Sequence, residues 1–206
     1  MIRSYSRENQ DLFVLSVLDK KRNGTYVEIG GAEPIGSNNT FLLESQFDWT
    51  GISIEWDSNL ANQWQGVRKN PCLQLDATRV DYDRLFEEHG LGTHIDFLQL
   101  DIDPAENTFA VLNKINFDKY KFSVITFEHD DYHRNTAIRT ESREIIQSHG
   151  YTMVMSDVCH GHDNFEDWYI NEQYMSNDMW KEFIGDSVSM KTPDLTSKYI
   201  ELFNKL

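Results

Sequence analysis

The stretch TYVEIGGAEPIGSNNT, residues 25–40, decides the fold of this 206-residue chain. It begins as a β-strand, passes two adjacent glycines, Gly30 and Gly31, and turns at Pro34. It ends in the polar cluster Ser37–Asn39, whose side chains suit the start of a helix. A strand, a glycine-containing loop and a helix start, in this order, predict the first unit of an α/β sheet with a ligand-binding loop.

The rest of the chain repeats this alternation of strand and helix. Strands are predicted at 25–30, 51–57, 72–77, 95–103, 121–129, 151–158 and 166–171. The fourth and fifth are near-continuous apolar runs, which favours a parallel sheet covered by helices on both faces. Asn135 or Thr136 is predicted to begin a helix that Gly150 ends. No helix separates the last two strands, so they are predicted to form an antiparallel hairpin at the sheet edge.

Composition narrows the class of protein. Aromatic residues make up 13% of the chain and hydrophobic residues 39%, which is enough for the core of one domain. The 34 acidic residues outnumber the 19 basic ones, and the net charge of −15 disfavours nucleic acid and anionic membranes as partners. The two cysteines form no CxxC motif, so a reducing cytoplasm is expected. The apolar run LFVLSVL is too short to span a membrane.

Carboxylates stand at the carboxyl end of each of the first five predicted strands. In open α/β sheets ligands bind at that edge, so these side chains are the first candidates for a site. The set comprises Glu28 with Gly30 and Gly31, Glu55, Asp76, Asp101 with Asp103, and Glu128 with His129 and Asp130.

The spacing of these residues excludes the common nucleotide motifs. Neither a P-loop nor G-x-G-x-x-G is present, and a pyrophosphate would meet Glu28 and Glu33 without a nearby cation. A cationic or zwitterionic ligand rich in hydroxyls fits better. Glu55 suits both hydroxyls of a ribose, and Asp76 suits the exocyclic amine of an adenine. A sulfonium with an amino-acid tail completes the description of S-adenosylmethionine.

Several motifs together resemble the FkbM-like branch of the class I methyltransferases. They are YVEIGG, SNNTFLLE, FDWTGISIEWD, IDFLQLDID, VITFEHDDY and GYTMV, in the family's order over about residues 24–170. The resemblance implies one Rossmann-like domain over 1–206, with a mostly parallel seven-stranded sheet. A helix at 9–22 and a helical tail at 178–206 would flank this core.

The resemblance also implies roles for individual residues. Glu28, Gly30 and Gly31 correspond to the methionine-binding motif, Glu55 to the ribose-binding acid, and Asp76 and Ala77 to the adenine-side loop. Asp101 would end the fourth strand beside the reacting centre. The implied reaction is methyl transfer from S-adenosylmethionine to a hydroxyl oxygen of a sugar or a similar small molecule. The segment DIDP departs from the family's Asp-hydrophobic-Glu-Gly pattern.

The acceptor hydroxyl needs alignment and a proton acceptor, and Asp101 and His129 are the candidate catalytic residues. A sharper alternative is Mg²⁺, held by Asp101, Asp103 and Asp130, because hard cations prefer carboxylate oxygens. His160 and His162 offer further ligands, although a solvated loop is the commoner outcome for such residues.

Two other functions remain open at this stage. One is a methyltransferase-like fold that serves as a non-catalytic binding subunit. The other is a metal-dependent hydrolase that uses Asp101, Asp130 and the HGHD segment, residues 160–163. The chain has little beyond the core from which to build an acceptor pocket, so a homo-oligomer that completes the pocket is allowed.

Overall fold

The computed structural model describes residues 2–133, 136–184 and 201. These residues form one seven-stranded sheet in the order β3-β2-β1-β4-β5-β7-β6, with helices on both faces. The predicted fold class, including the antiparallel edge hairpin, is confirmed. Among the described residues, no helix is long and apolar enough to cross a membrane.

The elements lie close to their predicted positions. The strands are β1 Thr25–Ile29, β2 Thr50–Glu55, β3 Cys72–Gln74, β4 His94–Leu100, β5 Lys121–Glu128, β6 Thr152–His160 and β7 Asp163–Ile170. The helices are α1 Gln10–Val17, α2 Phe41–Phe47, α3 Ser58–Gln63, α4 Tyr82–Glu88, α5 Ala105–Leu112 and α6 Thr136–Ser148.

Strands β1 to β5 run parallel, with β1 between β2 and β4. Their carboxyl ends therefore meet along one edge, as the sequence predicts. Strand β7 inserts between β5 and β6 and is antiparallel to both, which places Glu166 directly opposite Glu128. Two carboxyl groups in such a pair repel each other when both are ionised.

The two faces of the sheet carry separate hydrophobic cores. On the face called here the α1 face, Tyr26, Phe97 and Trp168 pack beneath α1 and α2. On the opposite face, the α6 face, Leu98, Phe127 and Tyr169 pack beneath α4, α5 and α6. Because successive side chains of a strand point to opposite faces, these cores also fix the face on which each polar neighbour lies.

Helix α1 is shorter than the predicted helix at 9–22. It ends at Val17, and the next residues include Asp19 and Lys20 with left-handed φ values of 52° and 51°. All eight of its residues are buried, so this helix forms part of the core. In the predicted tail at 178–206, a 3₁₀ turn spans Met179–Glu182. Residues 185–200 and 202–206 lie outside the described residues, as does Asn135.

Gly30 is required where the ends of β1 and β4 meet. Its φ is +90°, and an added Cβ would lie 1.6 Å from the backbone oxygen of Asp101. Gly31 faces a similar restriction, since its Cβ would lie 2.9 Å from the Trp64 ring. Both glycines therefore allow close packing within the protein itself.

We expect Gly30→Ala to lower the free energy of unfolding by about 3 kcal/mol, because it adds a clash with backbone to an unfavourable φ. Gly90→Ala is the matched control, since φ there is +66° and nothing lies within 4 Å of its Cβ. We expect Gly90→Ala to lower the free energy of unfolding by about 1 kcal/mol. Urea denaturation of both variants measures the difference, and equal losses would contradict the packing argument.

Candidate active site

The loop after β1 is anchored from below by buried polar groups. Glu28 is 1% exposed, and its carboxylate accepts hydrogen bonds from Thr40 Oγ1 at 2.9 Å and Ser53 Oγ at 2.6 Å. Burial raises the pKa of Glu28, and the nearby Arg68 opposes this rise. Glu28 is therefore placed to hold the loop rather than to face an open cleft.

Arg68 organises the same loop. Its guanidinium, with a fully buried side chain, donates to the Pro34 carbonyl and to Asn38 Oδ1, both at 3.0 Å, and to Glu44 at 2.9 Å. It also stacks 4.4 Å from the Trp64 ring. These contacts fix the backbone at Pro34 and the start of α2.

Glu55 projects from the end of β2 towards the loop. Its two carboxylate oxygens accept from the backbone amides of Ala32 at 2.8 Å and Asp57 at 2.7 Å. Each oxygen retains a further lone pair. Two hydroxyls can therefore still donate to this carboxylate, which agrees with the ribose-binding role implied for it.

A cleft of about 330 Å³ opens beside Glu55. Asp76, at its wall, accepts from the backbone amide of Thr78 at 3.0 Å, and its remaining exposed oxygen faces Arg79 at 3.2 Å. Trp56 is 70% exposed at the mouth, so its ring is free to stack on a planar group. The lining residues are Ile54, Trp56, Leu75, Asp76, Ala77, Thr78, Ile102, Asp103 and Asn107.

Next to this cleft, Asp101 and Glu128 form a hydrogen-bonded carboxyl pair on the α1 face. Burial raises the pKa of both groups. The charge of Asp101 and its hydrogen bond raise the pKa of Glu128 further, whereas the same hydrogen bond lowers the pKa of Asp101. A pair of this kind shares one proton at neutral pH. The ionised member can accept a further proton, as a general base does.

Two more carboxyl groups extend this pair into what is called here the carboxyl cluster: Asp101, Glu128, Asp130 and Glu166. Burial also raises the pKa of Asp130, which interacts with Glu128 and Asp103. Glu166 accepts from Gln10 Nε2 at 3.0 Å and from Trp168 Nε1 at 2.5 Å, and burial raises its pKa to about 8.

A chamber of about 100 Å³ adjoins the carboxyl cluster. Its wall includes Glu128, Tyr132 and Arg7, and the positive charge of Arg7 lowers the pKa of Asp101. His160 also lines it, with Nδ1 held 2.5 Å from Oε1 of Glu8. His160 and Asp163 thus lie at the chamber, while His162 lies in the turn between β6 and β7.

His129 is not brought together with Asp101. It lies on the α6 face, fully buried, with Nε2 3.5 Å from Asp167 Oδ1 and 3.9 Å from Asp157 Oδ1. Arg143 donates to both carboxylates at 2.7–2.9 Å, and Arg139 donates to Asp157 at 2.9 Å. Although burial works against it, the hydrogen bond from Arg143 leads the contributions that lower the pKa of Asp167 to about 2.

His129, Asp157 and Asp167 are the one group in the described part of the chain whose atoms lie close enough to hold a metal ion. The hydrogen bonds oppose that use. Nδ1 of His129 accepts from the Asp131 amide at 3.2 Å, so the neutral ring carries its hydrogen on Nε2 and offers no lone pair there. Arg139 and Arg143 already neutralise the two carboxylates. His129, Asp157 and Asp167 therefore belong to a buried ion-pair network on the α6 face of the sheet.

The predicted magnesium ligands Asp101, Asp103 and Asp130 do not form such a group within the described residues. Asp101 shares its proton with Glu128, Asp103 is exposed, and Asp130 is 2% exposed. A cation there would have to displace the shared proton and draw Asp103 inward.

Sequence reasoning did not single out Glu166 and Arg68. Glu166 opens the predicted strand EDWYIN, and a carboxylate within an aromatic strand is a signal that a polar environment surrounds it. Arg68 carries no such signal, because its partners Glu44 and Tyr26 lie 24 and 42 residues away.

Comparison with known proteins supports the fold. No protein-family model matches the sequence, and no curated protein matches it. Fibrillarin from Aeropyrum pernix, solved with bound S-adenosyl-L-methionine, is similar with a TM-score of 0.50 and 13% identity, over 78% of this chain and 76% of that chain. A putative rRNA methylase from Clostridium thermocellum has a TM-score of 0.53 and 10% identity, over 82% and 99%.

The human methyltransferase 10 domain containing protein is similar at the same level, with a TM-score of 0.53 and 15% identity over 79% of this chain and 80% of that chain. At such identities the likeness shows the fold alone. The chain has a class I, Rossmann-like methyltransferase fold, and the FkbM-like branch stays a prediction.

We expect the free energy of unfolding to fall as the pH rises from about 5 to 8. Folded Glu166, with a pKa near 8 against an ordinary value of 4.5, keeps a proton that the unfolded chain has already released. One such group contributes a slope of up to about 1.4 kcal/mol per pH unit. Denaturation across this range should show a smaller slope in Glu166→Gln.

Glu87→Gln is the control for this measurement, because Glu87 is an exposed carboxylate paired with Lys119 on the surface. Its slope should match that of the unsubstituted protein. An unchanged slope in Glu166→Gln would show that Glu166 titrates normally in the folded state.

Proposed function

We propose that the protein is an S-adenosylmethionine-dependent methyltransferase that acts on a hydroxyl oxygen of a small, hydroxyl-rich acceptor such as a sugar. The observation that carries this proposal is the 330 Å³ cleft at the carboxyl edge of the sheet. Its walls include Trp56, which follows Glu55, then Asp76 and Ala77, and Ile102, which follows Asp101. Fibrillarin, with the same fold, was solved with this cofactor bound.

The residues present fit the cofactor. Glu55 would bind the ribose hydroxyls, and Asp76 with Ala77 would contact the adenine against Trp56. The loop at Gly30 and Gly31, held by Arg68 and Glu28, would border the methionine part. When bound, S-adenosylmethionine supplies a methyl group on a cationic sulfur, and its transfer breaks a C–S bond, forms a C–O bond and releases one proton.

The carboxyl pair is placed to receive that proton. The hydroxyl donates a hydrogen bond to the ionised member of the Asp101 and Glu128 pair, which orients the oxygen lone pair and accepts the proton as the bond to carbon forms. Burial raises the pKa of both groups, so each is a stronger base than an exposed carboxylate. This role belongs to the Asp101 and Glu128 pair as a unit rather than to His129, which lies on the other face.

A small acceptor agrees with the charge of −15, which repels a phosphate backbone. The Clostridium thermocellum neighbour is described as an rRNA methylase, so a structured RNA belongs in the same binding assay as a competitor to sugars. The alternative cofactor from the sequence is Mg²⁺ at Asp101, Asp103 and Asp130, which do not form a group of metal ligands in the described part of the chain. Loss of activity in a chelator, restored by Mg²⁺, would favour it.

We expect isothermal titration calorimetry to show S-adenosylmethionine binding with a Kd on the order of micromolar. Glu55→Ala should weaken it at least tenfold, because the hydrogen bonds of a charged acceptor are each worth about 1.5–3 kcal/mol. Glu87→Gln should bind as tightly as the unsubstituted protein. Failure to bind either this cofactor or S-adenosylhomocysteine would favour the non-catalytic subunit or the hydrolase.

We expect Glu128→Gln to lower kcat by about 100-fold or more with little change in the KM for the cofactor, because it removes the shared-proton pair. Transfer of a labelled methyl group to a panel of sugars measures both constants. His129→Gln, on the α6 face, is the comparison variant. A larger loss of kcat in His129→Gln than in Glu128→Gln would return the catalytic role to His129.

A further inference from the structure

A histidine oriented by a buried carboxylate borders the 100 Å³ chamber. His160, at the end of β6, lines the chamber, and Nδ1 of its ring lies 2.5 Å from Oε1 of Glu8. The Glu8 side chain is fully buried, whereas the His160 side chain is 55% exposed. Glu8 is not among the residues that line the chamber. It therefore acts on a ligand there only through the histidine.

The hydrogen bond to Glu8 determines which ring nitrogen of His160 is left for a ligand. An ionised carboxylate only accepts hydrogen bonds, so Nδ1 carries a hydrogen and donates it to Glu8. In the neutral ring, Nε2 then carries the lone pair. Within the described part of the chain, no hydrogen bond involves this nitrogen. A hydroxyl that enters the chamber can therefore donate to Nε2.

The segment that carries Glu8 is fixed at both of its ends. The Glu8 amide donates to Gln10 Oε1, and Gln10 Nε2 donates to Glu166 in the carboxyl cluster, both at 3.0 Å. Towards the start of the chain, the Tyr5 carbonyl accepts from the Asn38 amide, in the loop after β1, at 3.1 Å. Because the carboxylate that orients the imidazole is held in this way, little ordering entropy is lost when a ligand binds.

The chamber presents hydrogen-bonding groups from two strands. Glu128 ends β5 and His160 ends β6, and both side chains line the same space of about 100 Å³. Ligand pockets usually measure roughly 300–1,000 Å³, so this chamber takes one end of an acceptor rather than the whole molecule. An end with two neighbouring hydroxyls can bind both groups, whereas a single hydroxyl binds only one of them.

Resting on the methyltransferase function proposed above, we propose that the acceptor carries two neighbouring hydroxyls and that Nε2 of His160 binds the one that is not methylated. The other hydroxyl faces the Asp101 and Glu128 pair, which receives its proton as the C–S bond breaks and the C–O bond forms. His160 takes no proton in this step. It determines which hydroxyl reaches the methyl group, and Glu8 is its positioning residue.

Matched alcohols test this with the full chain saturated with S-adenosylhomocysteine. The pairs are cis-1,2-cyclohexanediol with cyclohexanol, and 1,2-propanediol with 1-propanol, titrated at pH 7 by NMR. We expect the diol of at least one pair to bind about fivefold or more tightly than its mono-alcohol, because the diol forms one more hydrogen bond in a preorganised site.

His160→Asn separates ligand binding from a structural role. The side-chain amide of asparagine can still donate to Glu8 from the place of Nδ1, but nothing replaces Nε2. We expect this variant to lose the preference for the diol while its urea denaturation stays close to that of the unsubstituted protein. His89→Asn is the matched control, since His89 is an exposed histidine at the end of α4, and it should keep the preference.

If no diol exceeds its mono-alcohol, or if the preference survives in His160→Asn, the proposal is wrong. Should His160→Asn not fold, the imidazole nitrogen signals of the unsubstituted protein decide, because a diol should shift the Nε2 signal of His160, and an unchanged signal overturns the proposal. Cofactor binding is measured first. If S-adenosylhomocysteine does not bind, the proposed function fails, while diol titration of the cofactor-free protein still tests the His160 site.

Discussion

The buried guanidinium of Arg68 is the interaction on which the candidate site depends. A fully buried charge is tolerated when it is paired and its donors are satisfied, and Arg68 meets both conditions with Glu44, Asn38 and the Pro34 carbonyl. Replacement of this one side chain would leave Glu44 without its cationic partner beneath the loop. The loop after β1 therefore takes its shape from a residue that follows β2.

That constraint reaches the cleft through short contacts. The loop carries the Ala32 amide that orients Glu55, and Trp64, which stacks on Arg68, donates through Nε1 to the Ala32 carbonyl at 3.0 Å. On its other side, Gly30 packs against the backbone of Asp101. The positions of the ribose-binding candidate and of the carboxyl pair are thus coupled through one loop.

The sheet separates two acidic groups that are close in sequence and differ in chemistry. On the α6 face, Arg139 and Arg143 compensate Asp157 and Asp167, so those carboxylates remain ionised and structural. On the α1 face, the described residues place few cations beside the carboxyl cluster, and its members hold protons instead. This excess of acid on one face supplies the proton acceptor that the proposed methyl transfer requires.

Much of the fold follows from local patterns. The alternation of strands and helices, together with the near-continuous apolar runs of β4 and β5, was sufficient to predict a parallel sheet covered by helices on both faces. The absence of a predicted helix between β6 and β7 was sufficient to predict that they form an antiparallel hairpin. The end of α1 at Val17 was not predictable, because it depends on left-handed φ values at Asp19 and Lys20 that the apolar stripe does not encode.

The sequence by itself determined that carboxylates would line the carboxyl edge of the sheet, since parallel strands place equivalent ends together. Only the tertiary structure decided which of them share a proton, which are neutralised and which hold the backbone. Glu128 and His129 are neighbours in the chain, yet strand geometry sends them to opposite faces. Their partners, Glu166 and Asp167, come from a strand about 40 residues later, and protonation depends on burial and distance across that pairing.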